Sequence, residues 1–86
     1  MSYAVSLSNP ARKFLRDLTD AKLRQRLEDA IDALRDDPNP LGSKQLTASD
    51  GIQRVRVGDY RILYTVHDDK LVVLVVKIAH RREVYR

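Results

Sequence analysis

Cysteine is absent from these 86 residues. That excludes a disulfide framework and a thiolate metal site, and it suits a reducing compartment such as the cytoplasm. Long apolar runs are missing too. The longest, Leu71–Val76, is strand-sized, so no transmembrane segment is expected and no membrane role follows. The N-terminus has no signal-peptide pattern. Histidine occurs twice, with no cluster of histidines and carboxylates around either one, so neither a metal site nor another cofactor is expected. Gly51 and Gly58 are isolated and form no phosphate-cradling loop, and no serine has a base beside it for acyl-transfer chemistry. Asp68-Asp69 reads as a solvated hairpin turn rather than a cation site.

What remains is one small domain spanning residues 1–86, with 43% hydrophobic residues and a net charge of +4. The excess charge is uneven. Residues 1–47 hold eight basic and seven acidic side chains, and residues 48–86 hold eight and five. A basic second half fits a polyanionic partner.

The pattern predicts an α+β fold. Tyr3–Leu7 alternates as a short strand. Ser8-Asn9-Pro10 starts a helix, with Asn9 as N-cap and Pro10 at the first helical position. Ala11, Phe14, Leu15 and Leu18 follow at helical spacing. Thr19-Asp20 begins a second helix with the stripe Leu23, Leu27, Ala30, Ile31 and Leu34, which Asp36-Asp37-Pro38 terminates. So short a link makes an αα-hairpin with both stripes turned the same way. Asn39–Gly42 is loop, and Lys44–Thr47 is a short extended piece or coil. Three strands follow, Ile52–Val57, Tyr60–His67 and Leu71–Ala79, joined by tight turns at Gly58-Asp59 and Asp68-Asp69. The expected architecture is a two-helix hairpin on one face of a twisted antiparallel sheet, in the order β-α-α-β-β-β.

This register places Val55, Val57, Ile62, Tyr64, Val66, Leu71, Val73 and Val75 on the face toward the helices. Arg54, Arg56, Arg61, Leu63, Val72, Leu74, Val76 and, in a regular strand, His80 take the other. A three-residue second turn through Lys70 would flip the last strand and carry His80 across. Six of the eleven arginines lie between residues 54 and 86. The first turn sets Arg56 directly opposite Arg61, with Arg54 two residues away on the same side. Like charges so placed destabilise a sheet, and guanidinium forks suit phosphate, so an anion is expected there; a solvated edge with scattered counter-ions is the plainer reading. His80 beside Arg81 and Arg82 is either a proton-transfer residue or part of an exposed basic tail. Tyr85 either anchors the C-terminus in the core or offers a ring on which a base stacks.

Val57-Gly58-Asp59-Tyr60-Arg61-Ile62-Leu63-Tyr64, the Asp68-Asp69 turn with its apolar strand, and His80-Arg81-Arg82-Glu83-Val84-Tyr85 together closely resemble the RelE toxins of bacterial and archaeal toxin–antitoxin pairs. The resemblance covers essentially the whole chain. It implies an mRNA interferase: a ribosome-dependent endoribonuclease that enters the vacant ribosomal A site and cuts translated mRNA by metal-independent attack of the 2′-hydroxyl on the adjacent phosphate. It also implies an inhibitory, RelB-like antitoxin held in a heterocomplex with the toxin. By the same resemblance Arg61 contacts the scissile phosphate, Arg81 steadies charge at the leaving 5′-oxygen or protonates it, and Tyr85 stacks on or deprotonates the attacked nucleotide. Arg54, Arg56 and Arg82 are left as phosphate clamps. Arg54 and Arg56 stand where some relatives carry lysine, and arginine cannot act as a base, so proton abstraction falls to Tyr85 or His80. The alternative is a ParE-like, non-enzymatic inhibitor of DNA gyrase with the same fold. Such relatives generally lack the full set of Arg61, Arg81 and Tyr85. A module that merely binds RNA or a partner is a third reading.

Overall fold

The computed structural model describes residues 2–38, 44–45 and 51–80. Strand β1 (Ala4–Leu7) leads through Ser8 into helix α1 (Asn9–Asp17) and, after three residues, helix α2 (Ala21–Ala33). Strands β2 (Lys44–Gln45), β3 (Ile52–Val57), β4 (Tyr60–His67) and β5 (Val72–His80) complete one sheet in the order β1-β5-β4-β3-β2. The expected order of elements is present, with β2 realising the short extended piece; Asn39–Gly42 and residues 46–47 lie outside the described residues.

The helices start where polar caps meet apolar periodicity, with one correction. Ser8, not Asn9, caps α1: its hydroxyl accepts the Ala11 N–H at 3.2 Å, and Asn9 is already helical. Asp20 caps α2 by accepting the Leu23 N–H at 3.1 Å. Ala11 and Leu15 of α1 and Leu27 and Ile31 of α2, with Leu34 just beyond it, are buried against Val57, Ile62, Tyr64, Val73, Val75 and Ile78 of the sheet. Fully burying a leucine such as Leu27 or Leu34 contributes roughly 1.5–3 kcal/mol. The Tyr64 hydroxyl reaches out of this core to donate to the Pro38 carbonyl at 2.8 Å.

Three features of the sheet depart from expectation. First, it is mixed rather than wholly antiparallel, because β1 runs parallel to β5, from Ala4 opposite Val72 to Leu7 opposite Val75. The two hairpins β3–β4 and β4–β5 reverse the chain twice. They return β5 to the direction of β3, and β1 docks on its remaining edge. Second, the β4–β5 connection is four residues, Asp68–Leu71, because His67 pairs with Val72. Leu71 leaves the strand and adopts φ 52°, in the left-handed region. Two extra residues keep the side-chain parity, so Val73 and Val75 still face the helices. Third, β5 bulges. Tyr64 pairs with Val75 and Leu63 with Lys77, so Val76 has no opposite number. Every residue after it changes face.

Candidate nucleic-acid interface

The β3–β4 hairpin forms as its sequence suggests. Gly58 adopts φ 59° and Asp59 does not, which is the glycine-first two-residue turn. Val57 then faces Tyr60, Arg56 lies directly across from Arg61, and Arg54 pairs with Leu63. Arg54, Arg56 and Arg61 therefore share the sheet face turned away from the helices. Arg56 is exposed, and its Nε donates to the Gly58 carbonyl at 2.8 Å. Arg54 is half-buried. Arg61, on the central strand, is only 8% exposed, and the methyl of fully buried Ala79 lies opposite it on β5. A small neighbour on one side and a second guanidinium on the other leave that face charged at its centre.

The bulge at Val76 changes the membership of this face. Lys77 pairs with Leu63 and so stands in a row with Arg54, diagonal to Arg61. Strict alternation along β5 puts Lys77 on the helix side, and nothing in the apolar run marks where the period breaks. Conversely, His80 pairs with Tyr60 on the helix side. This corrects its expected placement beside the arginines. Its ring meets Tyr60 edge-on, with centroids 5.3 Å apart, and Tyr60 in turn contacts Phe14 at 5.8 Å. His80 is thus placed within an aromatic row, on the opposite face from Arg61. Arg81, Arg82 and Tyr85 lie outside the described residues. His67 is exposed at the end of β4, its Nε2 3.0 Å from the Thr65 hydroxyl.

The Tyr3 hydroxyl donates to the Asp68 carboxylate, 2.5 Å away, and this bond, with some desolvation and the carboxylate charge, raises the phenol above its ordinary value. The pair ties the start of the chain to the β4–β5 loop, away from the arginine face. Among the described residues no group of three or more histidines and carboxylates could hold a metal ion, and no helix is long and apolar enough to cross a membrane.

Residues 5–85 match the profile of the ParE toxin of the type II toxin–antitoxin system parDE. The chain belongs to this toxin family. Within the RelE/ParE superfamily, proteins named RelE and RelG are among those it is similar to. Toxin RelG of Mycobacterium tuberculosis is 30% identical over 86 residues, spanning 100% of this chain and 99% of the relative. Among solved structures, the toxin–antitoxin complex RelBE2 of the same organism gives a TM-score of 0.77 at 29% identity, covering 94% of this chain and 100% of that one. The archaeal RelE–RelB complex of Pyrococcus horikoshii gives 0.79 at 28%, covering 94% and 97%. The strand–helix–helix–sheet arrangement described above is the RelE arrangement.

Proposed function

We propose that this RelE-type toxin is a ribosome-dependent endoribonuclease that cuts translated mRNA in the cytoplasm and is held inactive by a cognate RelB-like antitoxin. The observation that carries the reading is Arg61: a guanidinium at the centre of the sheet, almost wholly buried, directly opposite Arg56 and beside Arg54 and Lys77. A sheet gains nothing from gathering like charges at its middle. A phosphodiester drawn onto that face offsets their repulsion, and the buried donor is preorganised for the charge that grows on the phosphorane.

In the proposed reaction the 2′-hydroxyl of the target nucleotide attacks its own 3′-phosphate while its proton passes to a base. The bond to the 5′-oxygen breaks and that oxygen takes a proton from solvent, leaving a 2′,3′-cyclic phosphate and a 5′-hydroxyl. No metal takes part. Arg61 binds the scissile phosphate, Arg54, Arg56 and Arg82 clamp the flanking backbone, and Arg81 steadies the leaving oxygen. Arginines stay protonated and His80 stands against Tyr60 on the opposite face from Arg61, so of Tyr85 and His80 the base is Tyr85. The antitoxin inhibits by covering the same face, with acidic residues against the cations and apolar ones on Leu63 and Leu74.

A specific observation favours the second reading, inhibition of DNA gyrase: the matching family profile is that of ParE. Inducing the chain alone and mapping mRNA ends by primer extension separates the two. Cuts within reading frames, present only on translated messages, are the expected result. Intact mRNA together with lost gyrase supercoiling would replace the nuclease by the gyrase reading.

A further inference from the structure

The inward-facing residues of β5 are unevenly spaced. Val73, Val75 and Ile78 are all buried in the core. Two residues, Val76 and Lys77, separate the last pair, where strict alternation has room for one. The core explains the extra residue. A register continued unbroken from the Tyr64–Val75 pair would set Lys77 opposite fully buried Ile62, and Ile78 opposite Arg61. That would bury an ammonium and turn an isoleucine onto the cations. Packing therefore demands one unpaired residue between Val75 and Ile78, but it does not say which. Leaving out Val76 pairs Lys77 with Leu63, and leaving out Lys77 gives that place to Val76. The structure has the first arrangement. Ser8 marks the residue left out. Its hydroxyl donates to the Val76 carbonyl at 2.5 Å and its N–H to the Val75 carbonyl at 2.9 Å. As the α1 cap it is itself held by the Ala11 N–H at 3.2 Å.

We propose that Ser8 is a positioning residue for the RNA-cleaving face: by fixing Val76 as the bulged residue it gives the place opposite Leu63 to Lys77, whose ammonium there contacts an RNA phosphate. The inference rests on the endonuclease reading above and deepens it by tracing one part of the site to a helix cap outside it. In that place Lys77 stands in a row with Arg54 and diagonal to Arg61, the arginine assigned to the scissile phosphate. Lys77 is exposed, and a charge-assisted bond from its ammonium suits a phosphate oxygen. In the alternative arrangement the ammonium would leave from the bulge itself, where the strand bends, and the row with Arg54 would hold a valine. Ser8 acts only through Val76 and Lys77. Removing its hydroxyl leaves the part-buried Val76 carbonyl without that donor, which disfavours the observed arrangement by roughly 5–150-fold against its rival. That is enough to choose between two arrangements that fill the core alike.

The test is a double-variant cycle on the purified full chain. Binding is measured across a salt series on ribosomes programmed with a short mRNA that is 2′-O-methylated at the A-site codon. Single-turnover cleavage is followed on the unmodified message. Lys77→Ala should lower the salt slope by about 1 and the cleavage rate by about tenfold. Ser8→Ala should show most of both losses, and Ser8→Thr should keep wild-type values. Ser8→Ala/Lys77→Ala should be no worse than Lys77→Ala alone. Ile31→Val thins the core from α2 and should lower the unfolding midpoint while leaving slope and rate unchanged, which tells positioning from general loosening. Exchanging the two side chains, Val76→Lys with Lys77→Val, keeps Ser8, composition and charge, and should match Lys77→Ala. If Ser8→Ala does not fold, the exchanged variant decides. Losses that add in the double variant, wild-type slope and rate in Ser8→Ala, or wild-type behaviour of the exchanged variant would each overturn the proposal. An unmodified message left uncut by the wild type, with the cycle holding in binding, would sink the nuclease and leave the positioning of Lys77 standing. Full cutting by both Ser8→Ala and the exchanged variant would do the reverse.

Discussion

The Ser8 hydroxyl donates to the carbonyl oxygen of Val76, 2.5 Å away, the one residue of β5 that the bulge leaves without a partner on β4. The Ser8 hydroxyl oxygen also caps α1 by accepting the Ala11 N–H, and the Ser8 N–H donates to the Val75 carbonyl at 2.9 Å. One side chain therefore joins the first helix to the point where the last strand changes face. That point decides which of Lys77 and His80 stands beside the arginines.

Ser8→Ala removes the cap and the donor to Val76 together. Losing an N-cap costs about 1 kcal/mol, and leaving a partly buried carbonyl unsatisfied adds roughly 1–3 kcal/mol. Urea unfolding should show a destabilisation of about 2–4 kcal/mol. Ser8→Thr, which keeps the hydroxyl, should recover most of it. Wild-type stability in Ser8→Ala would mean that neither bond matters to the fold.

Arg61→Ala should lower single-turnover cleavage on programmed ribosomes by on the order of 100–1,000-fold, the usual effect of losing one preorganised donor to a developing anion. Arg61→Lys should recover only part, because an ammonium cannot make the planar two-pronged contact. Circular dichroism should leave the fold of both variants unchanged. A rate within a few-fold of wild type in Arg61→Ala would remove the central arginine from the chemistry.

His80 and Lys77 should behave according to the faces the bulge assigns them. His80→Ala loses the edge-on contact with Tyr60, worth about 0.5–1.5 kcal/mol, and this should appear as a lower unfolding midpoint. Its cleavage rate should fall by less than about tenfold. Tyr85→Phe, by contrast, should lose roughly 100–10,000-fold if its hydroxyl handles the proton. Lys77→Ala should leave stability nearly unchanged and reduce the salt slope of RNA binding by about 1. A rate loss in His80→Ala as large as in Tyr85→Phe would return His80 to the proton work despite its place beside Tyr60.

Tyr3 should titrate above the ordinary phenol value of about 10, and Asp68→Asn should bring it back toward that value. Tyr3→Phe identifies its share of the ultraviolet difference spectrum. Because the folded-state value is raised, the stabilisation from this pair is fully present below the unfolded value near 10. It is lost as pH rises through the folded one. The difference in stability between wild type and Tyr3→Phe should therefore be constant through neutral pH and shrink only in the alkaline range. An unshifted titration would mean that the bond to Asp68 does not persist in solution.

Much of this molecule was legible in its residues because the signals are local. Helix periodicity, the Thr19-Asp20 helix start and the glycine-first turn act over a few positions. They determined β3 and β4 to the residue, the helix hairpin, and the opposition of Arg56 to Arg61. The RelE-like motifs pointed to the family for the same reason, being short runs tied to particular turns. Tertiary structure alone decided the rest. β1 finds the free edge of β5, more than sixty residues away along the chain, and no local pattern encodes which edge or direction it takes. Ser8 outcompeted Asn9 as cap because its hydroxyl could also serve the Val76 carbonyl across the fold. The bulge at Val76 breaks the two-residue period inside a run of valines whose side chains suit either face. Packing on both sides of the sheet therefore chose, and in choosing it set Lys77 beside the arginines and His80 against Tyr60.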